Sequence, residues 1–162
     1  MNQAEDKTCN TIEQTLDGHK AFRKVEEGLY VVKQGSSYVM INVVPWEDRH
    51  AVVRCVAQVV KGVEMTPNLT LELLSFNAHL RFGAFAYVEQ GSVILFSHSI
   101  LGGETLDSDE LLETIRDVAL VSDEWDDKII ERHGGQRMQD LLEEAVFASR
   151  TADGPDDFEW SE

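Results

Sequence analysis

Positive charge is scarce in this chain: its 162 residues include 14 Lys and Arg against 30 Asp and Glu, a formal net charge of -16. A chain so negative repels a phosphate backbone unless its basic residues gather on one face, and no Lys/Arg cluster occurs. Nucleic acid is therefore not an expected partner, and the acidity points to solubility, self-repulsion or a basic partner. Cysteine is almost absent. Cys9 and Cys55 are far apart and lack C-x-x-C spacing, so neither a disulfide framework nor a zinc knuckle is indicated, and Cys55 reads as a small core residue. No window approaches the roughly 20 apolar residues of a membrane span. The opening Met1-Asn2-Gln3-Ala4-Glu5-Asp6 has neither the basic nor the apolar region of a signal peptide. No membrane insertion and a cytoplasmic location are the expectations.

What is present suits one domain. Cys9, Ile12 and Leu16 recur at helical spacing in residues 3 to 17, before Gly18. The pattern then turns to strands, Leu29 to Val32, Tyr38 to Val44 and Ala51 to Val60, which reads as a three-stranded meander. In the last of these Val53, Cys55, Ala57 and Val59 share one face, and the other face is mixed. Thr66-Pro67 opens a second helix as cap and first-turn proline, with Leu69, Leu73, Phe76 and Leu80 as its stripe. Two β-rich runs, Phe82 to Val88 and Ser92 to Leu101, meet at Glu89-Gln90-Gly91 as a hairpin. Asp107 and Glu110 start a long helix in the manner of a capping box, and its stripe runs Leu111, Ile115, Val118, Ser122, Trp125, Ile129. The order α-β-β-β-α-β-β-α requires an antiparallel sheet of about five strands with helices packed on it, an α+β fold. Residues 1–133 form this domain, 134–148 an additional C-terminal helix and 149–162 an acidic disordered tail.

Candidate chemistry is thin. His19, His50, His79, His98 and His133 are scattered, with no i, i+2 or i, i+4 pair to grip a metal. Ser97-His98-Ser99 suggests nucleophile chemistry, but neighbours on a strand point to opposite faces, so both serines face away from the histidine. Leu101-Gly102-Gly103-Glu104-Thr105 joins a strand to a helix where phosphate loops sit, yet it lacks the Gly-Lys-Ser/Thr ending and carries Glu104, so it reads as a turn. The acids of Asp123-Glu124-Trp125-Asp126-Asp127 spread around a helix instead of converging as a calcium loop does. They lie towards the helix C-terminus, where they oppose the macrodipole. No catalytic residue, cofactor or metal is expected.

Apolar surface remains. Val52, Val56 and Val60 on one strand, with Ile94, Phe96 and Ile100 on another, exceed what one helical layer covers, or else they pack under the first and third helices. On the first reading these six mark a binding face.

Several segments resemble the YbjN-like family, which shares the fold of class I type III secretion chaperones. They are Leu73-Leu74-Ser75-Phe76-Asn77 running into Leu80-Arg81-Phe82-Gly83-Ala84-Phe85, then Gly91-Ser92-Val93-Ile94-Leu95, Gly103-Glu104-Thr105-Leu106 before the long helix, and His133-Gly134-Gly135. The resemblance spans Gly28 to Gly135. It implies a helix-and-twisted-sheet module that dimerises and binds extended peptide or protein segments, with no catalytic residues to carry over. The added helix from Gln136 to Ala148 and the acidic tail depart from it, and that helix could cover the dimer surface. The expected function is a non-enzymatic peptide- or protein-binding chaperone or adaptor with a protein client. The alternative is a structural or regulatory subunit of a larger complex.

Overall fold

The computed structural model describes residues 1–137. Asn2 caps the first helix, α1 (Gln3–Leu16): its side chain accepts from the Glu5 N–H while Glu5 accepts from the Asn2 N–H. Four strands follow, β1 (Phe22–Glu26), β2 (Leu29–Gln34), β3 (Ser37–Trp46) and β4 (His50–Lys61). Then come α2 (Pro67–Asn77), the hairpin β5 (Ala84–Val88) and β6 (Val93–Leu101), a single 3-10 turn at Gly103–Thr105, α3 (Ser108–His133) and the two-residue β7 (Gln136–Arg137). Every pairing is antiparallel and the sheet runs β1-β2-β3-β4-β6-β5, with β7 added on β4. The α+β class is as expected. The strand count is higher by two, because Phe22–Glu26 forms the edge strand β1 and Gln136–Arg137 forms β7.

Strand alternation divides the sheet into two faces. Val53, Cys55 and Ala57 of β4 pair with Val43, Ile41 and Val39 of β3 and with Ile100, His98 and Phe96 of β6, so all of these point to one side. This inner face forms a single core with Cys9, Ile12 and Leu16 of α1 and with the α3 stripe, whose six residues are all buried. Phe76 of α2, Phe85, Phe96 and Trp125 pack there in tilted and edge-to-face pairs, with Phe76 and Trp125 ring centres 4.3 Å apart. The second face carries a small buried cluster of its own, Val31 and Tyr38 with Met40 against it.

Two long-range contacts fix how α3 and α1 sit. The β2–β3 turn presents Ser36, whose N–H donates to Asp123 at 2.9 Å and whose hydroxyl donates to Asp123 and to Asp126. Arg137 also reaches Asp126, at 3.6 Å, and is in contact with Asp127. This clasp accounts for Asp123, Asp126 and Asp127, which oppose the helix dipole: they bind the turn and β7. Gly35 is required there, since at φ 56° a Cβ would stand 2.9 Å from the Asp123 carboxylate. At the opposite end Thr8 of α1 accepts from the Gly103 N–H at 2.7 Å. A Cβ on Gly102 would fall 2.5 Å from that hydroxyl, so the Gly-Gly pair serves close packing of a turn.

The additional helix expected from 134 onwards does not begin by Arg137, because Gly134 and Gly135 turn the chain back and Gln136 and Arg137 pair with Lys61 and Val60. Its remainder and the acidic tail lie outside the described residues.

Candidate partner-binding surface

The six apolar residues expected to share a binding face are separated by the register. Ile94, Phe96 and Ile100 lie on the inner face and are buried under the helices. Val52 and Val56 pair with Leu101 and Ser97 and lie on the outer face, half-buried. Val60 changes side: the register shifts between Gln58 and Val60, which pair with Leu95 and Ile94, and this bulge turns Val60 inward to zero exposure. Val60, Ile94, Phe96 and Ile100 therefore belong to the core, and the expectation of one shared face is corrected to two opposite faces.

On the outer face Val52 has neighbours that the pattern of the sequence does not single out. Trp46 pairs with His50 and Val44 with Val52, so both lie on the same side, and Leu101 is opposite Val52 across β4–β6. Trp46 is 49% exposed and Leu101 54%. Together with Ser99 they border a shallow groove of about 350 Å³. Alternation from Val44 would place Trp46 on this face, but Pro45-Trp46-Glu47-Asp48 reads as a turn.

Among the described residues neither edge of the sheet offers a long free ladder. On β5 the Asn77 side chain accepts from the Phe85 N–H at 2.7 Å and donates to its carbonyl at 3.1 Å, occupying the pair of groups an added strand would use. On β1 the Phe22 N–H is taken by the His19 carbonyl, the register breaks between Lys24 and Glu26, and Lys24 pairs with Glu13 and Glu27. A bulged, charged edge disfavours strand addition.

Reactive groups are held inert. Cys55 is wholly buried and desolvation pushes its thiol up to about 12, which opposes thiolate formation. Burial likewise raises Cys9. Ser97 and Ser99 point to the outer face and His98 to the inner one. Among the described residues no group of three His, Cys, Asp or Glu side chains could hold a metal ion, and no helix is long and apolar enough to cross a membrane.

Among the described residues the helices lie on one face of the sheet, and the other face carries the apolar residues Trp46, Val52 and Leu101 beside the shallow groove. The chain belongs to the family of T3SS (YopN, CesT) and YbjN peptide-binding chaperones, whose sequence profile matches residues 3–141. A chain of the solved ExsC–ExsE complex has the same fold at 14% identity and a TM-score of 0.56, over 78% of this chain and 95% of that one. The solved YbjN of E. coli aligns at 15% identity and a TM-score of 0.47, over 74% and 91% of the two chains. No curated protein sequence matches the chain.

Proposed function

We propose that this protein is a cytoplasmic, non-enzymatic chaperone or adaptor that holds an extended segment of a client protein on the outer face of its sheet. The observation that carries this reading is the exposed pair Trp46 and Leu101 beside half-buried Val52, in a member of a peptide-binding family whose described sheet edges are blunted. Exposed aromatic and aliphatic groups beside a groove recover free energy when a segment covers them, at roughly 25 cal/mol per Å² of apolar surface buried. Val52 and Val56 extend the strip toward the middle of the sheet. The negative net charge favours a basic client and keeps the loaded protein soluble.

The test is an affinity capture from the native cell extract with the wild type and with a Trp46→Asp, Leu101→Asp double variant. One discrete protein held by the wild type and lost by a folded variant is the expected result. A discrete protein held equally by both would move the holding site off this face. No discrete protein from either would remove the chaperone reading.

One observation favours a second reading. Leu71 and Leu74 are exposed on the side of α2 away from buried Leu69 and Leu73, which gives α2 a second apolar patch facing solvent. A permanent neighbour there, a second copy or another subunit of a complex, would cover them. Sedimentation of a Leu71→Glu, Leu74→Glu variant against the wild type separates a dimer, which would dissociate, from a monomer, which would be unchanged.

A further inference from the structure

A second depression, of about 430 Å³, lies between α3 and the inner side of β6, away from the outer strip. Its apolar walls are open to solvent: Phe82, in the segment before β5, is 57% exposed and Leu120 of α3 is 48% exposed. Between them α3 supplies Glu110, Glu113 and Asp117, spaced three and four residues apart and so in one column. Arg116 also borders the groove and lies 3.7 Å from Glu113, so the groove is lined by three carboxylates and one guanidinium.

The floor is His98. Pairing with Cys55 puts it in phase with Ile94 and Phe96, facing α3. Its ring stacks on Phe82 with centroids 5.3 Å apart and planes 15° from parallel. Its Nδ1 stands 4.0 Å from Asp117 Oδ2, too far for a hydrogen bond, and both atoms are shielded from water without a hydrogen-bond partner. The rest of the Asp117 side chain lines the groove and is 31% exposed, so a ligand can set a donor against its carboxylate. Burial raises the Asp117 carboxyl above its usual range, against the pull of His98, which marks the same lack of a partner.

We propose that this groove receives a cationic side chain, an arginine, from an amphipathic segment of the client, with the apolar neighbours of that arginine lying on Phe82 and Leu120. The proposal rests on the peptide-holding reading above and names the chemistry of the peptide. A planar guanidinium delivers several donors to Asp117 and Glu113 and also lies flat on an aromatic ring, which a lysine ammonium does less well. A net charge of -16 draws such a segment in from a distance, and groove walls of low polarity strengthen the contact once made.

The experiment measures binding of two labelled synthetic peptides to the full chain at low salt, one alternating Leu, Ser and Arg and the other with each Arg replaced by Gln. About tenfold tighter binding of the Arg peptide is expected, falling as salt screens the charges. Asp117→Asn, which keeps the shape, should remove most of that preference and leave binding of the Gln peptide unchanged, whereas Phe82→Ala, which trims the ring shared by the guanidinium and its apolar neighbours, should reduce the preference and also weaken binding of the Gln peptide. Equal binding of both peptides, or a preference that survives in both variants, overturns the groove and leaves the holding function standing. Failure of the wild type to bind either peptide overturns both. Should a variant not fold, wild-type NMR decides: the Arg peptide should shift the His98 ring protons and the amides of residues 110–120, and shifts confined to other regions overturn the proposal.

Discussion

The two faces of the sheet are built from alternate residues of the same strands and do opposite things. On β4, Val53, Cys55 and Ala57 have no exposure at all, while Val52 and Val56, one residue away, are half-buried and Arg54 is open. Over most of its area the inner face is covered by α1 and α3 and its residues are apolar and close-packed, His98 at the groove beside α3 being the polar exception. The outer face mixes apolar with polar, and its most exposed apolar residues collect at one end, around Trp46 and Leu101. Composition alone does not separate the faces, since valine is common on both. Burial decides which valines are structural and which are available to a partner.

The largest expected effect breaks the symmetry between the faces. Phe96→Ala deletes a ring with no exposure that packs on Phe85 at 5.1 Å, and should lower unfolding free energy by about 3–5 kcal/mol in denaturant titration. Leu101→Ala, on the outer face and half-exposed, should move it by no more than about 0.5 kcal/mol. Equal losses would mean that the outer strip is also core. Next in size is Gly102→Ala, whose added methyl would meet the Thr8 hydroxyl and Ala51 and separate α1 from the 3-10 turn, at about 1–3 kcal/mol. Asn77→Ala follows. It removes both hydrogen bonds to the Phe85 backbone, should cost about 1–2 kcal/mol and should speed hydrogen exchange at the Phe85 amide. Concentration-dependent self-association of that variant would show that Asn77 protects the edge.

How far the sequence discloses this arrangement depends on the range of the interaction concerned. The helical stripes of α1 and α3 and the inner set on β4 are local periodicities, and every residue named for them is buried in the structure. The edge strand β1 escapes because Phe22-Arg23-Lys24-Val25-Glu26 is mostly charged and its register breaks near Val25, so it has no clean alternation. Simple alternation misplaces Val60, because a bulge adds one residue and leaves no mark in composition. The acids of α3 make sense only beside Ser36, 87 residues from Asp123 and 90 from Asp126. Asn77 belongs to a segment that carries the family resemblance, but its task depends on where β5 lies. The outer strip is half legible: Val52 and Val56 stand in the expected set, and Trp46 and Leu101 do not.

The smallest expected effect concerns the clasp that holds α3 over the sheet and sharpens the account of its buried acid. Asp126 is almost fully buried, and its carboxyl is raised above the usual range by that burial and by Asp123, against the opposing influence of the Ser36 hydroxyl and of Arg137. A carboxyl whose folded value lies above its unfolded value, about 3.9, binds its proton more tightly in the folded chain. Its stabilising contribution is therefore complete below about pH 3.9 and is lost as pH rises through the higher folded value. Asp126→Asn keeps the shape and cannot ionise. The stability of the wild type minus that of this variant should consequently decrease from pH 3 to pH 7. Thermal melts of the two proteins across that range supply the measurement. A difference that grows with pH would mean that Arg137 and Ser36 stabilise the charge more than burial opposes it, and that the clasp is an ion pair in its working state.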